Sequence, residues 1–378
     1  MAQSRPLTAV FGGDFGPMPF REDPGQVFDL SRHLLEEADL AFLQLEKNLS
    51  DRGTLQLNVP RSLARTRPIV AKAMADAGVD IVSFASKHTL AFSDEALFDT
   101  LDNLQENGIR VIGAGRNLAE ARAPAIFDVG GTTIGMLAYC SVVPKGFEAW
   151  EDKPGANRIR AKTWYEPVDQ EPGTPPRVIS VADADDLAAM VADIERLRPD
   201  VDVVVVSHHF GVHYVPSVIA MYQREIAHAS IDAGADLIVG HRAHLLKGVE
   251  IYKGKVIFHS LGNFMMDHPI ERVHGSFLDH MRETFHWELD ESYPNYAFPP
   301  DAQKTGLVRA TITEGRLSRV SFLPMWINRD GQPEPLGAGD PRSDEVIDYL
   351  RWATRDQRLN AGFERDGDEF VVVEVLAT

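Results

Sequence analysis

Several side chains of this sequence that can take up protons or bind metals stand directly after short apolar runs. Asp14 follows Leu7–Phe11, Glu46 follows Leu40–Leu45, and His88 follows Ile81–Phe84. His208 and His209 follow Val203–Ser207; His241 and His244 follow Leu237-Ile-Val-Gly; His259 and Asn263 close the Val256 run. Carboxylate, imidazole and amide ligands together suit a divalent transition ion such as Zn, Mn or Fe. A lone histidine at a strand end is ordinarily a hydrogen-bonded residue of no special role. Six successive runs that end this way point instead to a common site, because open α/β sheets bind ligands at the carboxyl ends of their strands. Asp14 in Gly12-Gly-Asp could be a turn former, and Glu46 could pair with Lys47. His33, His228 and His286 receive no role. His268, His274 and His280 lie in a polar stretch and read as solvated.

The elements that would position these residues alternate. The strands are Leu7–Phe11, Leu40–Leu45, Ile81–Phe84, Arg110–Ile112, Val203–Ser207, Leu237–Val239 and Val256–Ser260. They are short and rich in β-branched residues, as strands buried on both faces are. Helical patterns cover Val27–Glu37, Pro68–Ala77, Glu95–Asn107, Ala184–Leu197, Ala220–Ala233 and Ser343–Ala353. Gly78, Gly108 and Gly234 supply C-terminal stops. Hairpins turn at Gly130-Gly131, Lys253-Gly254 and Glu314-Gly315, so the sheet is mixed or there are two sheets. This predicts an α/β fold of layered mixed sheets flanked by helices. One domain spans 1–378, with loop excursions near 151–176 and 266–303 that read as covers.

Composition narrows the partners. The chain has 378 residues, 44% hydrophobic and 25% charged, which is ordinary for a globular protein. Lys+Arg is 38 against 56 Asp+Glu, a net charge of -18. That argues against nucleic acid and anionic membrane surfaces, which need a basic face. The single cysteine, Cys140, allows no internal disulfide and reads as a buried structural thiol. No stretch reads as a signal peptide or a membrane anchor, and the cytoplasm is the expected location. Two other chemistries fail. Val111-Ile-Gly-Ala-Gly-Arg-Asn-Leu118 opens like a dinucleotide fingerprint but has Leu118 in place of the third glycine. There is no Gly-x-Ser-x-Gly elbow.

Taken together, the motifs resemble those of the CapA (poly-γ-glutamate capsule biosynthesis) family, whose fold is similar to that of calcineurin-like metallophosphatases. The likeness runs over roughly residues 7–330. Gly13-Asp14 is similar to the family's opening Gly-Asp, and Gln44-Leu-Glu46 to its Asn-Leu-Glu. Ala85-Ser-Lys-His88 resembles Ala-Asn-Asn-His, and Thr100-Leu-Asp with Gly113-Ala-Gly115 resembles the helix and strand that follow. Ser207-His-His-Phe-Gly-Val-His-Tyr214 resembles Leu-His-Trp-Gly-Val-Glu-Tyr. Gly240-His-Arg-Ala-His244 resembles Gly-His-His-Pro-His, and Ser260-Leu-Gly-Asn-Phe264 matches residue for residue.

The resemblance implies a metallophosphatase-like layered sandwich and one or two divalent ions held among Asp14, Glu46, His88, His209, His241, His244 and His259. The residues themselves read as a metal-dependent hydrolase with His208 or His213 as acid or base, Lys87 and Arg242 binding an anionic group, and Asn263 fixing a water or an imidazole. Four positions depart from the family pattern: Lys87 for Asn, Arg242 for His, His213 for Glu and His259 for Tyr. The expected substrate is a small or polyglutamate-like carboxylate. The alternatives are a non-catalytic capsule-assembly subunit, a phosphoesterase, and lyase chemistry centred on Lys87. A homo-oligomer stays open.

Overall fold

A computed structural model describes residues 5–56, 65–170, 173–272 and 275–375. His274 lies outside them, and so does the side chain of His280. Two mixed sheets pack face to face. The first runs in the order Ala361–Asp366, Glu369–Glu374, Arg316–Ile327, Lys304–Thr313, Leu7–Gly16, Leu40–Leu45, Ile81–Ser83, Arg110–Ile112. The Leu7 strand is therefore central, parallel to the Leu40 strand and antiparallel to the Lys304 strand. The second sheet runs Val249–Tyr252, Lys255–Phe258, Leu237–His241, Val203–His209, Thr132–Cys140, Ala125–Val129. Its four middle strands are parallel.

The period of two along each strand sorts side chains between layers. Leu7, Ala9, Phe11, Phe42, Val203, Val205, Leu237, Val239 and Phe258 meet between the sheets. Val10, Ala41, Leu43 and Val82 turn outward onto the helices Val70–Asp76 and Ser93–Glu106. Val204, Val206, Ile238 and Ile257 turn outward onto Ala184–Leu197 and Met221–Asp232. Phe11, Phe42 and Phe258 are fully buried between the sheets, each favoring the fold by roughly 1.5–3 kcal/mol over exposure. The result is a helix–sheet–sheet–helix sandwich: the α/β layering follows the alternating pattern, and the two-sheet sandwich is the one the resemblance implied.

Several expectations change. Val27–Glu37 is not one helix but a 3-10 turn at Pro24–Phe28 followed by Arg32–Glu36. The excursion near 151–176 is no bare loop: Ala161–Glu166 pairs with Arg177–Ala182 as a hairpin. The excursion near 266–303 contains the helix Gly275–Phe285 and its own apolar cluster, with Met281, Trp287, Tyr296 and Phe298 packed on Tyr214 and Leu245. The Ala361–Glu374 hairpin has no counterpart in the sequence reading.

The Gly113-Ala-Gly115 decoy is explained by packing. A Cβ on Gly113 would lie 2.6 Å from the Ala85 Cβ and 2.9 Å from the Ala138 Cβ, and φ is +77° there. The helix that follows, Leu118–Arg122, has only five residues. Cys140 is fully buried, and burial pushes its thiol up to about 12.

Candidate metal centre

Both sheets contribute to one buried cluster. Strand parity carries Gln44 and Glu46 to the inner face with Phe42, and His209 there with Val205. Asp14 would by parity face the helices beside Val10. One extra residue between Phe11 and Asp14 prevents this: Phe11 stands opposite Phe42, and Asp14 opposite Gln44. The bulge re-aims the carboxylate between the sheets.

Asp14, Glu46 and His209 each offer a ligand atom within 4.8 Å of the others, the one such group of His, Cys, Asp and Glu among the described residues. His209 Nδ1 lies 3.3 Å from Glu46 Oε1. His241 Nδ1 is 3.5 Å and His244 Nδ1 is 3.0 Å from the Asp14 carboxylate. The Arg242 backbone N–H donates to both Asp14 oxygens, at 3.3 and 3.2 Å. Arg242 and His244 hold φ of +87° and +54°, strain of the kind that collects at functional sites. His244 Nδ1 is also 2.6 Å from Asn263 Oδ1. Asn263 Nδ2 in turn donates to Tyr296 Oη at 2.7 Å, and Tyr296 donates to the Ala302 carbonyl. Asn263 thus fixes an imidazole.

The electrostatics are those of two carboxylates sharing one dry space. Burial would raise the Asp14 carboxyl, but the His241 and His244 imidazoles beside it hold it well below the usual range. Glu46 is pushed up to about 8, by burial first and then by the Asp14 charge, with Lys87 opposing. Both ring nitrogens of His209 and of His241 are buried without hydrogen-bond partners, as is Glu46 Oε2. Unpartnered buried polar atoms are costly. A divalent ion would satisfy the donors and neutralise the carboxylates together, so these residues fit the metal that the sequence implies.

The other predicted residues divide. His88 and His213 come to the rim. His88 Nδ1 and His213 Nε2 are buried without partners, and burial takes both imidazoles well below their ordinary range. The His213 ring is 5.0 Å from that of His244. Lys87 faces Glu46, Asp14 and Arg242, and burial lowers its ammonium to about 8. The Arg242 guanidinium donates to the Gly211 carbonyl.

His208 and His259 are not brought to the cluster. His208 is one residue from His209 and so points to the opposite face. There its Nε2 lies 3.0 Å from Ser230 Oγ, and its ring stacks between Tyr139 and Phe210. Burial holds it neutral, down to about 3. His259 follows Phe258 and likewise turns outward, its Nε2 3.1 Å from Glu250 Oε2. His228, given no role from sequence, reaches Glu250 Oε1 at 2.8 Å. Burial would raise Glu250, but the bonds to His259 and His228 bring it down to about 2. A carboxyl depressed in the fold stabilizes it above its ordinary value of 4.5 and loses that contribution as pH falls toward 2. Urea unfolding across that window is therefore expected to show a shallower acid arm in Glu250→Gln than in the wild type.

Sequence reasoning missed three residues. Lys47 is fully buried beside Glu46, its Nζ 3.3 Å from the Asp267 carbonyl, and burial lowers it to about 7. A lysine following a strand-end glutamate was the available signal. His268 is not solvated: its ring lies 5.1 Å from Phe298, which is 5.1 Å from His244. Tyr296 anchors Asn263 from within the excursion.

Comparison with known proteins follows this geometry. CapA of Bacillus subtilis (strain 168), a "PGA biosynthesis protein", is 29% identical over 266 residues, covering 69% of this chain and 62% of that protein. A "probable polyglutamine synthesis accessory protein" of Mycobacterium tuberculosis is 30% identical over 252 residues, covering 65% and 60%. The chain thus spans about six tenths of the length of these relatives. Among solved structures, a hypothetical protein from Thermus thermophilus aligns with a TM-score of 0.46 at 14% identity, covering 87% of this chain and 100% of that one. The calcineurin-like phosphoesterase YfkN of Bacillus subtilis aligns with a TM-score of 0.39 at 11% identity, covering 93% and 97%. No helix among the described residues is long and apolar enough to cross a membrane. Residues 8–268 match the family described as "Bacterial capsule synthesis protein PGA_cap", and the chain belongs to that family.

Proposed function

We propose that this chain is a metal-dependent hydrolase that cleaves an amide, ester or lactone bond in a carboxylate-bearing substrate. The observation that carries the reading is the Asp14–Glu46–His209 cluster, whose buried unpartnered atoms face the cations Lys87 and Arg242. Asp14, Glu46, His209, His241 and His244 would hold the ion, with His88 at its rim. A divalent ion there supplies Lewis acidity and brings the pKa of water close to neutral.

The chain's own residues do the rest. His213 Nε2 is buried without a hydrogen-bond partner, which leaves it open to a proton. Its Nε2 takes a proton as water attacks the acyl carbon, and the proton leaves on the departing amine or alcohol as the acyl bond breaks. Asn263 holds His244 in one orientation. Lys87 and Arg242 face the substrate's carboxylate and the developing oxyanion. The resemblance to the poly-γ-glutamate capsule family supports a γ-glutamyl substrate, small or polymeric.

The test compares a chromogenic γ-glutamyl anilide with a phosphodiester, on protein purified without chelator. Chelator-sensitive turnover of the anilide is expected to exceed that of the phosphodiester by at least tenfold. Phosphodiester turnover alone would favor the phosphoesterase reading. Bound metal with neither turnover would favor the assembly-subunit reading, which the word "accessory" in one relative's name supports.

A further inference from the structure

We infer that the site holds one metal ion, and that the Lys87 ammonium takes the second cationic position, facing an anionic oxygen of the substrate. This rests on the hydrolase reading and deepens it. Among the described residues only Asp14, Glu46 and His209 place three ligand atoms within 4.8 Å of each other. One compact set of three, with His241 and His244 beside Asp14, suits one ion.

Lys87 follows the Ile81–Ser83 strand, whose Ser83 stands opposite Gln44. Gln44 Nε2 donates both to Glu46 Oε1 at 3.1 Å and to the Ala85 carbonyl at 3.5 Å, which sets the Lys87 turn beside Glu46. The Lys87 charge acts on Glu46 and Asp14, and the Arg242 charge acts on it. Yet its ammonium makes no hydrogen bond or ion pair with any described residue. A half-buried ammonium left more than an ion-pair distance from two carboxylates has room for another oxygen between them. An ammonium carries three donors and no acceptor, so the group it meets is an acceptor, and an anionic one by preference. Arg242 bounds the same space. Its guanidinium is anchored on the Gly211 carbonyl, and its buried Nε has no partner. A fixed cation here does what a second metal ion does for charge, without needing ligands of its own. It also repels a second ion. The substrate class that follows is a carboxylate whose oxygen lies between the metal and Lys87.

The test is a calorimetric titration of metal-free protein with Mn²⁺, then of the loaded protein with glutarate. Thermal melting is run on every variant to establish folding. The wild type is expected to take one equivalent of Mn²⁺, and Lys87→Asn two. Lys87→Met is expected to keep one equivalent and to bind glutarate at least tenfold more weakly. Two equivalents in the wild type, one in Lys87→Asn, or unchanged glutarate affinity in Lys87→Met would overturn this inference and leave the hydrolase reading standing. No bound Mn²⁺ in the wild type would remove both.

Discussion

His209→Ala or Asp14→Asn is expected to bring bound metal from the proposed one equivalent to background and to lower any chelator-sensitive turnover by at least ~10³-fold. The effect is large because neither residue has a substitute in the cluster. His209 is the second sheet's member of the three-ligand set, and Asp14 is the carboxylate that His241, His244 and the Arg242 N–H all address. Asp14→Asn keeps the shape and removes the charge. It also removes a charge that helps raise Glu46, which offsets part of the loss of its contacts with His241 and His244. The check that does not depend on turnover is thermal melting with and without Mn²⁺. At 100 times Kd a ligand adds about 2.7 kcal/mol to stability. The wild-type midpoint rises with the ion, and that of either variant does not. An equal rise in all three would show that the ion binds elsewhere.

Gly13→Ala costs more than ~3 kcal/mol of stability and with it the metal site. A Cβ on Gly13 would lie 2.3 Å from the Gly262 carbonyl oxygen and 2.8 Å from its carbon. Both are backbone atoms and cannot swing aside. The contact is also pinned, because the Asp14 N–H donates to that same oxygen at 3.0 Å. Relief requires the Leu7 strand to move off Gly262, and the bulge that aims Asp14 inward goes with it. Gly339→Ala is the control: no atom lies within 4 Å of its Cβ, and its φ is not positive. Chemical denaturation should place that variant within ~0.5 kcal/mol of the wild type. A Gly13→Ala midpoint close to the control would mean that the strand crossing is looser than its geometry indicates.

The sequence displayed the site's members better than their directions. Runs ending in Asp14, Glu46, His209 and His241 were legible because a strand buried on both faces reads as a continuous apolar stretch. What such a run hides is parity, since neither face is polar. His208 and His209 look equivalent in sequence, and only pairing sends one to Ser230 and the other to Glu46. His259 misled for the same reason. The Asp14 bulge is hidden in Gly12-Gly13, a pair that also suits a turn. Lys47 escaped because a charged residue after a strand normally reaches water, whereas the excursion from Met266 onward covers it. His268 was misread because its burial depends on Phe298, thirty residues away.

The central place of the Leu7 strand has a consequence for biosynthesis. It precedes the other described strands in the chain, yet its antiparallel neighbor begins only at Lys304. About 290 residues must be added before that edge can be covered. At roughly 5–20 residues per second this is a wait of about 15–60 s. For that time an apolar strand, Leu-Thr-Ala-Val-Phe, offers unpaired backbone to any other nascent chain. The same strand carries Asp14, so the metal centre cannot be secured early by its own ligands. The slower residues 17–303 are translated, the longer that edge stays open.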